Sequence, residues 1–136
     1  DMQFVIPDDG TGNPLPDLYL YGTATHMHYV GTDMRITVER ASQKNGDPAT
    51  ECLIEEPAWD FNWQRFYAYD TEIEKLPELH TGDTVKLHCS YDNTLENPFV
   101  AQALMQQHLT APHAVKLGET TLDEMCLGGF VFLVKL

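Results

Sequence analysis

Ala24-Thr25-His26-Met27-His28-Tyr29-Val30-Gly31 places two histidines one residue apart in a run of Thr, Tyr and Val. β-branched and aromatic residues at that density predict a strand rather than a helix. On a strand, residues i and i+2 share a face, so His26 and His28 project together while Met27 points the other way. Two adjacent imidazoles supply two donors of a metal site, and a third must come from elsewhere in the chain. The candidate is Met125, in Asp123-Glu124-Met125-Cys126. Imidazole combined with a soft thioether suits copper, Cu(I) above all, better than zinc or the hard cations. Two plainer readings compete. The histidine pair could be an ordinary polar face of a sheet, and Met125 could be core packing, since methionine is a flexible gap-filler.

Outward from that stretch the pattern stays β. Leu18 to Val30 is long for one strand, so a bend or bulge is expected near Gly22. A Gly31-Thr32-Asp33 turn then leads into Met34 to Arg40, which alternates at period two with Met34, Ile36 and Val38 on the buried face. The expectation is a hairpin with the histidine pair near its turn. Upstream, Phe4-Val5-Ile6 reads as a short edge strand before a loop rich in Pro and Gly. Downstream, Asn45-Gly46-Asp47-Pro48 is a turn and Glu51 to Glu56 a short strand. Trp59, Phe61 and Trp63 are expected in the core rather than in an exposed aromatic patch. Gln64 to Asp70 alternates again, and Glu72 to Leu76 continues it.

In Thr84 to Tyr91, residues Val85, Leu87, Cys89 and Tyr91 share one face and Thr84, Lys86 and His88 the other. His88, and His80 in the preceding turn, are therefore expected to be solvated and not ligands. Residues 93–112 break the β pattern, and Ala, Gln, Leu and Met predict a short helix at 99–108. His108 and His113 lie five apart with Pro112 between them, so they cannot share a helix face. Ala114 to Leu117 returns to strand, and Gly128 to Leu136 is a closing apolar strand.

The chain of 136 residues, 43% hydrophobic and 21% charged, has the size and composition of one globular domain. Residues 1–17 form its N-terminal strand and loop, and 93–112 an insertion. No apolar run approaches the roughly 20 residues of a membrane span. A formal net charge of -13 argues against a nucleic-acid partner. No basic and apolar leader is visible at Asp1, so localisation rests on the three cysteines. Seven or more short strands separated by turn signals predict an all-β sandwich.

His-Met-His-Tyr-Val-Gly, then Pro-Glu-Leu-His-Thr-Gly-Asp-Thr-Val running to Cys89-Ser90-Tyr91-Asp92-Asn93, then Gly118 and Asp-Glu-Met-Cys, occur in that order. This succession, over roughly residues 20 to 134, resembles the C-terminal catalytic domain of the copper type II, ascorbate-dependent monooxygenases. That family includes peptidylglycine α-hydroxylating and dopamine β-hydroxylating enzymes. The resemblance implies a jelly-roll-like antiparallel β-sandwich with one short helical or irregular insertion. It implies copper held by His26, His28 and Met125, with an open position for a small molecule. It also implies a Cys89–Cys126 disulfide, hence an oxidising, periplasmic or secreted location. Cys52 is then left over, and its apolar run predicts a buried free thiol.

The implied reaction is hydroxylation of a C–H bond of a small-molecule substrate by O2, with ascorbate as external reductant. In that family a second copper, bound by three histidines in a preceding domain, supplies one electron. The four histidines left here form no such cluster. The chain therefore reads either as one half of a longer monooxygenase or as a stand-alone copper-binding or electron-transfer module. A metal-free adhesion-type sandwich is the third possibility, while a thiolate blue-copper site is disfavoured because the resemblance pairs Cys89 with Cys126. The chain departs from the peptide-amidating members at three places. Ala24, Leu127 and Gly129 stand where those enzymes carry the arginine, asparagine and tyrosine that grip the peptide, so a glycine-extended peptide is not the expected substrate.

Overall fold

Period-two burial builds this molecule. In β3 (Gly31–Glu39), Met34, Ile36 and Val38 are fully buried while Arg35 and Glu39 face solvent. In β7 (Thr84–Tyr91), Val85, Leu87 and Cys89 are buried and the residues between them are not. The computed structural model describes residues 1–43 and 46–134. Among the described residues the remaining strands are β1 (Met2–Val5), β2 (Leu18–His26), β4 (Thr50–Glu56), β5 (Phe66–Ala68), β6 (Glu78–Leu79) and β8 (Leu127–Val134), with one α-helix, α1 (Pro98–Gln106). One antiparallel sheet runs β1-β7-β3-β4. In the other, β8 pairs with β2 along its whole length, leaving β5 and β6 successive stretches of the opposite edge of β2. Leu20 from the second sheet, Met27 from the crossing segment that follows it, and Met34, Ile36, Val38, Val85 and Leu87 from the first sheet fill the space between. This is an all-β sandwich with a short helical insertion. Among the described residues no helix is long and apolar enough to cross a membrane.

The bulge expected in the long second strand is present, between Leu20 and Gly22. Gly22 is required there by contact: a Cβ would sit 2.4 Å from the Tyr67 carbonyl oxygen and 2.6 Å from the Phe66 ring. The expected hairpin is not found. β2 and β3 lie in opposite sheets, and residues 27–30 carry the chain across the sandwich. The reason is edge competition: both edges of β3 are taken by β7 and β4, and those of β2 by β8 and by β5 with β6. The two strands meet face to face through their apolar sides instead.

Other expectations are corrected in detail. Ile73–Lys75 is a 3-10 turn rather than strand, and 114–117 contributes only a single bridge, Leu117 with Glu124. Cys52 is a free thiol but exposed, because a register shift opposite Ile36 and Thr37 gives Leu53 the inward position. Trp59 is buried as expected. Trp63 is not, and carries Arg65 over its ring at 4.6 Å. Tyr91, at the end of β7, is exposed. Asn45 of the predicted turn, and residues 135 and 136 of the closing strand, lie outside the described residues.

The helix expected at 99–108 is α1, with Pro98 in its first turn, where no backbone donor is needed. The Asn97 carboxamide oxygen caps it, accepting from Phe99 N–H at 3.0 Å. Val100, Ala103 and Leu104 form its buried face, packed on Val30 and Leu122 in a second small core.

Where β3 ends, the Arg40 guanidinium is almost fully enclosed, with Nη1 3.0 Å from Asp83 Oδ2 and Nη2 against Glu51. The Asp83 carboxylate also accepts from the N–H groups of Ala41 (2.9 Å) and His80 (3.0 Å). Burial acts to raise its pKa, but these hydrogen bonds and Arg40 prevail and hold it below the ordinary carboxylate value. Asp83→Ala removes one of the two carboxylates that the structure places against the buried Arg40 cation and should cost about 3 kcal/mol in urea unfolding. A group depressed in the folded state stabilises fully above its unfolded pKa, near 4. That contribution is lost as pH falls through the folded value. The parent protein should therefore lose stability on acidification below about pH 4, and Asp83→Ala should show a shallower acid dependence.

Candidate metal centre

His26 is the last residue of β2 and lies across from Leu127 at the start of β8. His28 follows two residues later, in the segment that crosses between the sheets, so only the first histidine is on the strand itself. Met27 points inward and is fully buried, as strand alternation requires. Its side chain fills the space beside Gly31, where a Cβ would lie 2.8 Å from Met27 Cβ.

Because β2 and β8 run antiparallel, the residues just before Leu127 lie beside the segment just after His26. One carboxylate oxygen fastens the two. Glu124 Oε1 accepts from the N–H of His28 at 2.7 Å and from the N–H of Met125 at 2.7 Å. The main chains of two proposed ligand residues, 97 positions apart in sequence, are thus held on a single buried atom. Burial raises the Glu124 carboxyl above its usual range, while those two N–H donors and the nearby His28 and His26 act to lower it. Its other oxygen, Oε2, is buried and has no hydrogen-bond partner among the described residues.

The imidazoles are oriented by acceptors that cannot donate. His28 Nδ1 lies 3.2 Å from the Asp123 carbonyl oxygen. His26 Nδ1 contacts Gln64 Oε1, and the Gln64 amide nitrogen donates to the Phe61 carbonyl at 2.9 Å. That second bond fixes which end of the amide faces His26. In its neutral form each ring therefore carries its proton on Nδ1 and presents the Nε2 lone pair. The two ring centroids are 5.1 Å apart with planes 88° from parallel.

The crossing segment is braced from every side. Trp59 Nε1–H and Gly31 N–H both donate to the His28 carbonyl, at 3.2 Å each. The Asn97 side chain, while capping α1, donates to the carbonyls of Tyr29 and Asp92 at 2.9 Å each. The Tyr29 ring packs edge-on against Phe61, with centroids 4.7 Å apart, and more loosely against Phe99. Gly118 makes room for Asp123: a Cβ there would sit 2.4 Å from Asp123 Oδ2. The expected disulfide is present, Cys89 to Cys126, joining β7 to the residue after Met125 and closing 37 positions of chain.

The remaining histidines sort unevenly. His88 is half-exposed against Asp1, and His108 and His113 are exposed. His80, expected in solvent, is buried at 7% exposure, because the turn it occupies is drawn in by the Asp83 carboxylate. Glu124, Gln64, Trp59 and Asn97 were not foreseen as parts of this site. Nothing in local sequence marks them, since each acts through a contact distant in the chain.

The chain is similar to a human protein described as "Putative DBH-like monooxygenase protein 2", with 25% identity over 120 residues. The similarity covers 88% of this chain but only 19% of that protein's length. No family model and no solved structure matches.

Replacing Glu124 by Ala removes two charge-assisted hydrogen bonds and should cost about 2–4 kcal/mol in denaturant unfolding. Glu124→Gln keeps an oxygen acceptor and should retain most of that stability. Equal losses in the two variants would show that the carboxylate charge, and not the oxygen acceptor alone, holds the two main chains.

Proposed function

We propose that His26, His28 and Met125 bind a single copper ion, and that the chain is the oxygen-binding copper domain of an ascorbate-dependent monooxygenase. The supporting observation is the fixed tautomer of both rings, which turns two Nε2 lone pairs outward from anchored Nδ1 atoms. The ring spacing fits a shared ion. An imidazole nitrogen sits about 2.0–2.1 Å from a first-row metal, so two rings on one tetrahedral ion have centroids about 5 Å apart. The similarity to a DBH-like monooxygenase, over 88% of the chain, points the same way.

Copper bound there would supply one-electron redox chemistry and an open coordination position. The chain's own residues supply rigidity. Gln64 and the Asp123 carbonyl hold the Nδ1 protons, so the donor atoms do not rotate away when a ligand is exchanged. The thioether favours the reduced ion, and Glu124 keeps the Met125 main chain against His28. The disulfide pins the other side of Met125, and is compatible with a periplasmic or secreted setting.

The substrate is a small molecule with an activated C–H bond rather than a glycine-extended peptide. Ala24, across from Gly129 in the β2–β8 ladder, and Leu127 provide no cation, amide or phenol to hold a peptide terminus. A second copper domain in a longer parent protein would deliver the other electron. The alternative, a copper-binding or electron-transfer module without hydroxylation, differs in one measurable respect. The hydroxylase reading expects ascorbate-dependent O2 uptake that rises with a competent substrate, and the module reading expects none.

Chelator competition should show that His26→Ala loses more Cu(I) affinity than the roughly 10–100-fold typical of losing an outer partner. Gln64→Ala should fall within that range. Met125→Leu should weaken Cu(I) more than Cu(II). Unchanged Cu(I) affinity in His26→Ala would refute the site.

A further inference from the structure

At the other end of β2, about 26 Å along the strand from His26, Asp17, Glu78 and His80 converge. Asp17 immediately precedes β2. The β6 ladder sets Glu78 against Tyr19 and Leu79 against Leu18, and His80 follows directly. One donor atom from each of the three residues lies within 4.8 Å of the others. We propose that His80 Nε2 and Glu78 hold a second cation, a borderline divalent ion, zinc before calcium or magnesium, with Asp17 orienting the imidazole through Nδ1.

The imidazole carries the argument. His80 is buried, yet its Nε2 has no hydrogen-bond partner among the described residues. It lies 3.8 Å from Glu78 Oε2, beyond hydrogen-bond reach. The Nδ1 atom is 2.7 Å from Asp17 Oδ1, so Asp17 holds a proton there. This is the carboxylate–histidine arrangement that presents the opposite nitrogen to a metal. A neutral ring leaves a buried lone pair facing a carboxylate, and a protonated one leaves a buried N–H without an acceptor. A cation between Nε2 and Glu78 satisfies both partners.

The local field favours a cation. The charge of Glu78, then burial and the charge of Asp17, raise the Tyr19 phenol above its ordinary pKa. The nearest guanidinium, Arg40, binds the Glu78 backbone carbonyl, but its charge is engaged by Asp83 and Glu51. Mixed imidazole and carboxylate donors select zinc over calcium and magnesium, which take oxygen alone. Both carboxylates are partly exposed, which leaves room for water as a further ligand. A bound ion would clamp the start of β2 to β6.

Calorimetric titration of the full chain with zinc chloride tests this independently of the copper reading. Glu78→Gln and the double variant Asp17→Asn/Glu78→Gln, with folding checked by circular dichroism, should lose one zinc equivalent or bind it at least tenfold more weakly. His26→Ala should keep that equivalent. Zinc should also raise the thermal midpoint of the parent but not of the double variant. An imidazolium ion pair only, seen as identical zinc binding in parent and double variant or as none in the parent, would overturn the proposal. So would loss of the zinc in His26→Ala alone.

Discussion

The arrangement of this site rests on one oxygen atom. Glu124 Oε1 accepts from the main-chain N–H of both His28 and Met125, and it does so where water cannot substitute. Those residues belong to two irregular segments, a crossover that leaves β2 and an approach to β8, whose other described polar link is His28 Nδ1 to the Asp123 carbonyl. A buried acceptor shared by two donors is costly to break, because each N–H would be left without a partner. The pairing is therefore part of the fold and does not depend on a bound ion. That is what a preorganised site requires, since the ordering cost is met during folding rather than on binding.

Around that atom the sandwich supplies rigidity in layers. The carbonyl of His28 is fixed by Trp59 and Gly31, that of Tyr29 by Asn97, and the rings by Gln64 and the Asp123 carbonyl. Residues 93–112 interrupt the β pattern and look like an afterthought in sequence. Yet α1 packs its buried face on Val30 and Leu122, and its cap residue holds the crossover. The disulfide secures Cys126 from the other sheet. The two candidate ion sites occupy opposite ends of β2, so this strand is the common frame for both.

Much of this was legible in the chain alone. Alternation in Met34, Ile36 and Val38, and in Val85, Leu87 and Cys89, gave the buried faces, because period two is a local property. The bulge near Gly22 and the helix in the insertion were equally local. The partner of β2 was not, since a strand with one apolar face can pair beside its successor or pack across from it. Only competition for edges among the described strands decides between the two. Burial of His80 and exposure of Cys52 followed from distant events, a carboxylate four residues past Leu79 and a register shift in β4. The histidine pair was visible from spacing. The tautomers that make it a plausible ligand pair depend on Gln64 and Asp123, which no spacing rule connects to it.

X-ray absorption at the copper edge of the Cu(I)-loaded chain, compared with the Met125→Leu variant, bears most directly on the central claim. Two imidazole nitrogens and one sulfur in the first shell of the parent, with the sulfur missing from the variant, is the expected result. A parent spectrum with no sulfur scatterer, or one unchanged by the substitution, would contradict a copper centre shared by the crossover and the approach to β8.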